Sequence, residues 1–213
     1  MSLSYSPYVK HLRPAALIVM MLLSAVCLHA QQSEVRRLYA EAFKLQGEYK
    51  SDEAISRLHR LMSIDSTCVA AYNLMGYIYE DSFADFDTAL YYYRKALAIK
   101  PDYAKVYINI GHLHYLQMHY DTALVYINKA IKYDSNYADA YFNLGWIYNS
   151  KNNLAQSIHC FRKAARMGSE AAQQWLESYG YGWGDEEDTI PPQNTSTIQK
   201  FERTKPKTIS IDY

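Results

Sequence analysis

Four aromatic residues, Tyr72, Tyr107, Tyr141 and Trp175, recur at steps of 35, 34 and 34 residues. The first three each sit in a near-copy of one nine-residue text: AYNLMGYIY from Ala71, VYINIGHLH from Val106 and AYFNLGWIY from Ala140. Two further ladders keep the same step, Ala89–Ala123–Ser157 and the pairs Lys95-Ala96, Lys129-Ala130 and Lys163-Ala164. A fixed period of this length means that the chain is built from one small unit used several times. Each such unit leaves one apolar face bare, so stability must come from stacking neighbours.

Within each period the apolar residues recur at helical spacing, twice, with a break between. The pattern predicts helices over about 33–46 and 51–63, 69–81 and 86–99, 104–117 and 120–133, and 138–150 and 154–167. A last helix over about 170–179 has no partner. Its Gln173, Gln174 and Glu177 give the polar outer face that the end of a stack needs. Ser33 is the expected N-cap of the first helix. Lys100-Pro101-Asp102 closes the second unit firmly, because proline cannot continue a helix. That unit is one residue longer than the others, and the extra residue is expected in the turn between Tyr79 and Ala89. Gly76, Gly111 and Gly145, with Ala89, Ala123 and Ser157, are read as the small residues that let the two helices of a unit approach.

These residues resemble the tetratricopeptide repeat. The second copy carries Tyr72, Met75, Gly76, Tyr79, Ala89, Tyr93, Ala96 and Pro101. The third carries Tyr107, Ile110, Gly111, Ala123, Ile127 and Ala130, and the fourth Tyr141, Leu144, Gly145, Tyr148, Ser157, Phe161 and Ala164. The first copy departs from the pattern, with Ala40 or Ala42 in the glycine place. The resemblance covers about residues 33–179 and implies an all-α, right-handed solenoid. It would hold four helix pairs (about 33–68, 69–103, 104–137 and 138–171) and a capping helix at 170–179. It also implies a concave groove that binds a protein or peptide segment.

Carried onto this chain, the groove positions are Asn73, Tyr77 and Glu80, then Lys105, Ile108, His112 and Tyr115, then Asp139, Phe142, Trp146 and Asn149. Large apolar side chains at such positions are expected to be exposed and to serve as partner anchors. Truncating Trp146 is accordingly expected to weaken binding without unfolding the array. One subclass of the family clamps a terminal carboxylate with basic residues. Here those places hold Asn73, Tyr77, Lys105 and Asn109, and a single lysine does not make a clamp.

The N-terminus reads as a separate segment. Lys10 and Arg13 precede an apolar run from Pro14 to Leu28, and Leu28-His29-Ala30 offers a small residue before Gln31. This is the layout of a signal peptide over residues 1–30. The run is shorter than the roughly 20 residues of a spanning helix. The expectation is export to the periplasm or envelope of a Gram-negative bacterium, with no membrane span after cleavage. Anchoring through the uncleaved helix or a lipid at Cys27 is the alternative. The charges balance over the whole chain, at 22 basic and 22 acidic residues. Loss of residues 1–30 leaves 20 against 22. No basic stripe recommends a nucleic-acid partner.

From Gly180 the helical period stops, and 180–213 is expected to be a flexible tail. Ile209, Ile211 and Tyr213 alternate there, which leaves a short added strand as an alternative. Cys68 and Cys160 fall in units that do not touch, so no bridge between them is expected. His112 and His114 leave a helix on different sides and cannot share a metal. No nucleophile elbow, phosphate loop or metalloprotease motif occurs, and no cofactor is implied. The reading is a non-enzymatic interaction scaffold. The runner-up is a structural subunit of an envelope assembly docking through its convex face or tail, and self-association through the apolar groove stays open.

Overall fold

The computed structural model describes residues 14–183. Those residues form nine α-helices: α1 (Pro14–Gly47), α2 (Ser51–Ile64), α3 (Val69–Phe83), α4 (Phe86–Ile99), α5 (Ala104–Leu116), α6 (Tyr120–Tyr133), α7 (Ala138–Ser150), α8 (Leu154–Arg166) and α9 (Glu170–Ser178). They pair as α1·α2, α3·α4, α5·α6 and α7·α8, and each pair packs on the next. The result is the expected all-α solenoid. The first helices of neighbouring pairs also touch (α1·α3, α3·α5 and α5·α7), whereas the second helices make no comparable contact with one another. The first helices therefore line the shorter, concave side.

The glycine ladder sets the approach within a pair. A Cβ on Gly76 would lie 2.5 Å from the Tyr93 ring, one on Gly111 would lie 2.6 Å from Ile127, and one on Gly145 would lie 2.6 Å from Phe161. The side chain that fills the space is thus the large apolar residue four positions after the Ala89–Ala123–Ser157 ladder. At Ser157 the hydroxyl is buried and donates to the Gly145 carbonyl at 2.8 Å. Two rung tyrosines tie their pairs to the turn before them. Tyr72 donates to the Ser66 carbonyl at 3.2 Å and Tyr107 to that of Pro101 at 3.0 Å. The core divides along the stack into three clusters, centred on Leu58 and Met75, on Tyr93 and Ile110, and on Phe161 and Trp175.

Each turn inside a pair holds one residue in the left-handed region: Tyr49, Ala84, Met118 and Asn152, with φ of 59°, 51°, 60° and 57°. In three turns the amide after it closes onto a carbonyl five residues back, as His119 does to His114 at 2.9 Å. In the second pair Asp85 reaches six residues back, to Tyr79, at 2.9 Å. The extra residue of that repeat is absorbed there, as a wider last turn of α3.

Two expectations fail at the ends of the array. Helix α1 does not begin at Ser33. It runs unbroken from Pro14, because nothing between Ala30 and Glu34 stops a helix. The Ser33 hydroxyl bonds back to the Ala30 carbonyl at 2.7 Å, as a mid-helix serine does, and is not an N-cap. Along the early part of α1 the large apolar residues Ile18 to Leu28 are all more than half exposed. The first fully buried residue is Leu38. By length and composition this helix could cross a membrane, with a mean hydropathy of 1.3 over its most apolar window. Nor does order end at Gly180. Tyr181 is buried and lies over Trp175 with ring centroids 6.3 Å apart. Arg162 donates to the Gly182 carbonyl at 2.8 Å, and Arg166 donates to that of Trp183 at 3.3 Å. This strap ties residues 181–183 to α8 and α9. The acidic run and the alternating Ile209–Tyr213 lie outside the described residues.

Candidate functional site

The concave wall is formed by α3, α5 and α7, and side chains cross between them. Asn109 donates its amide to the Asn73 side-chain oxygen at 2.9 Å, and both residues are buried. Glu80 is buried as well. One of its oxygens accepts the Tyr93 hydroxyl at 2.7 Å and the other meets His112 Nδ1 at 2.6 Å. A carboxylate oxygen can only accept, so His112 Nδ1 is the donor. His112 Nε2 is then left buried without a hydrogen-bond partner. The Ser150 hydroxyl donates to that of Tyr115 at 3.3 Å. Three of these bonds, Asn73–Asn109, Glu80–His112 and Tyr115–Ser150, join neighbouring repeats along the wall. The pairing of Asn73 with Asn109 also removes two of the four places at which a carboxylate clamp would act.

The sequence-derived groove residues fall into two groups. Tyr77, Lys105, His112, Tyr115, Asp139 and Asn149 are partly accessible. Lys105 faces Asp139 from the neighbouring helix. Burial pushes the Lys105 ammonium below its usual pKa, and the Asp139 carboxylate opposes that shift. The apolar residues behave otherwise. Ile108, Phe142 and Trp146 are 4%, 8% and 6% exposed, and Asn73 joins them as a buried residue. The expected exposed aromatic patch is therefore absent at these positions. Trp146 packs edge-on against Phe161 at 5.4 Å and Trp175 at 6.2 Å. Helix α9 supplies the ring that covers it. Truncating Trp146 must accordingly disturb the core, contrary to the expectation from sequence.

Sequence reasoning missed Tyr93, Ser150 and the joining role of Asn109. Asn73 and Asn109 are 36 residues apart, which is out of step with the repeat, so alignment of the copies hides the pair. His112 turns toward Glu80 and stacks beside Tyr115 at 6.3 Å. His114 stacks on Tyr126 at 5.3 Å, on the other side of α5. Burial and the neighbouring His119 lower the pKa of His114. Among the described residues no three or more His, Cys, Asp or Glu side chains converge as metal ligands would. The arrangement is that of a surface offering aromatic, cationic and amide groups.

A TPR repeat model matches residues 85–117, and tetratricopeptide repeat models match 104–137 and 126–159. No curated protein matches the sequence significantly. Among solved structures the chain is similar to PilF of Pseudomonas aeruginosa, at 20% identity over 71% of this chain and 72% of that one, with a TM-score of 0.61. It is similar to MamA at 21% identity, over 70% and 86% of the two chains, with a TM-score of 0.53. It is also similar to TTC0263, a thermophilic TPR protein of Thermus thermophilus, at 16% identity over 77% and 90%, with a TM-score of 0.62. At these identities the likeness speaks to fold. The period in the sequence, the helix pairs that it builds and the repeat models that it matches all agree, and the chain carries tetratricopeptide repeats.

Proposed function

We infer that this protein is a non-enzymatic scaffold that holds a segment of a partner protein against its concave wall. The observation that carries this reading is the row of partly accessible Tyr77, Lys105, Tyr115 and Asn149 on successive concave helices. The wall beneath them is braced by bonds between repeats, Asn109 to Asn73 and His112 to Glu80. Fixed aromatic side chains lose little entropy when a partner docks, which is why tyrosine serves well as an anchor. Lys105, already partly desolvated, would meet an acidic or carbonyl-rich stretch of the partner at low further cost. Ile108, Phe142 and Trp146 support the wall from beneath, and Asn73 and His112 brace it.

The test is the double variant Tyr77→Ala with Tyr115→Ala. Proteins retained by the wild-type chain from its native cells are quantified against those retained by the variant, with circular dichroism as the folding control. A folded variant that loses a specific retained protein supports the wall. A folded variant that retains the same proteins in the same amounts contradicts it.

The same reading places the scaffold outside the cytoplasm, with residues 1–30 as its export signal. In support, the exposed apolar part of α1 precedes every buried residue. Gln31 is the first side chain to bond to the array, donating to the Ile64 carbonyl at 3.0 Å. N-terminal sequencing of the protein from native cells decides the point. A start at Gln31 agrees, and an intact N-terminus would make α1 an anchor.

A further inference from the structure

The three regular repeats differ at one position on the outer seam between their paired helices. Tyr92, Tyr126 and Cys160 occupy equivalent places, 34 residues apart. In the second repeat the Tyr92 ring stacks on Tyr79 at 5.6 Å, with an interplanar angle of 11°. In the third, Tyr126 stacks on His114 at 5.3 Å and 22°, and Lys129 lies 5.4 Å from the Tyr126 centroid. The fourth repeat keeps the equivalents of those partners, Tyr148 and Lys163, but has a thiol where the ring would be. Among the described residues no ring stacks on Tyr148. Lys163 instead sits on the Tyr141 ring, 4.1 Å from its centroid. Beside Cys160 opens a cavity of about 500 Å³, walled by Ile131, Tyr141, Leu144, Tyr148 and Cys160 and rimmed by Lys163. Cys160 is 6% exposed, and burial pushes its thiol up to about 11. A protonated thiol is a poor nucleophile, so its part here is to be small.

We propose that this cavity is a binding site for an electron-rich aromatic ring of the phenol class, which enters the place that Tyr92 and Tyr126 fill in the preceding repeats. The ring stacks on Tyr148, and Lys163 moves over it as Lys129 lies over Tyr126. The volume is within the range of small-ligand sites, and the apolar and aromatic walls are joined by the polar Asn128, Gln156 and His159 and by one cation at the edge, a makeup that suits a ring carrying a hydroxyl. The site lies on the side of the array away from the concave wall and does not depend on a partner there.

The probe is p-cresol, titrated into the full-length protein and followed by nuclear magnetic resonance shifts. For so small a ligand the expected Kd is on the order of 1 mM. Cys160→Tyr, which returns the ring of the other repeats, is expected to raise the Tm and abolish the saturable shifts. Cys160→Ala is expected to keep them, and Lys163→Met to weaken binding about 2- to 5-fold. N-acetyltyrosinamide separates the sources of the ring. Saturation by both probes assigns the site to tyrosine side chains of a partner, and saturation by p-cresol alone assigns it to free phenols. The proposal is overturned if p-cresol gives no saturable shifts with the wild type. It is equally overturned if Cys160→Tyr binds as the wild type does, or if a folded Cys160→Ala no longer binds.

Discussion

The two halves of the concave wall are built from equivalent positions and held by different chemistry. Tyr77, His112 and Trp146 occupy one register. In the second and third repeats the surroundings are polar: Asn73 pairs with Asn109, and Glu80 joins Tyr93 to His112. In the fourth, Phe142, Trp146, Phe161 and Trp175 form one aromatic block. Register fixes where a side chain points and not what lies above it. Tyr77 packs against the first core cluster and stays partly open. Trp146 is roofed by α9 and has become core.

That contrast can be broken most forcefully at its apolar end. Trp146→Ala is expected to destabilise the array by about 3–5 kcal/mol, the usual cost of emptying a large aromatic site. Tyr77→Ala at the same register is expected to cost far less. Urea denaturation of the two variants side by side measures the gap, and equal losses would mean that Trp146 is as open as Tyr77. Shortening the chain after Gly180 in place of after Trp183 removes the buried Tyr181 and the bonds from Arg162 and Arg166. The expected loss is about 1.5–3 kcal/mol, set by burial of one aromatic side chain. Thermal unfolding of the two truncations checks it.

The polar end is probed by Glu80→Ala. It leaves the Tyr93 hydroxyl and His112 without their shared acceptor in a buried place, at a cost of about 1–3 kcal/mol. His112→Ala added to it should then cost little more, since the bond is already gone. A double-mutant cycle reads that coupling, and simple additivity would show that the pair does not act as a unit. The smallest effect is a gain. Met118 holds a left-handed φ of 60° at a place where the fourth repeat uses Asn152. Met118→Asn is expected to raise stability by about 0.5–1 kcal/mol, as asparagine tolerates that conformation better. A small rise in Tm is the readout.

Most of the fold was legible because the glycine, alanine and aromatic ladders are packing rules repeated in text. Gly76, Gly111 and Gly145 announce close approach, and the structure places Tyr93, Ile127 and Phe161 against them. What was illegible lies where the repeat meets something that is not a repeat. Residues before Ser33 carry no period, and helix α1 continues through them because no residue there prevents it. Tyr181 looks like part of a loose tail, yet a ring beside the exposed end of an aromatic stack finds a place to bury. The wall was half legible. Its positions followed from register, but accessibility depends on neighbours 32 to 36 residues away, as Glu80–His112 and Asn73–Asn109 show.

The proposed function rests on the concave helices meeting the partner. Its most direct test is site-specific photo-crosslinking in the native cell. A photoreactive residue is placed at position 115, on the concave wall, or at Val125, which is 54% exposed on α6, a helix of the convex side. A discrete protein adduct is expected from 115 and none from 125. An adduct from 125 alone, or from neither position, would contradict it.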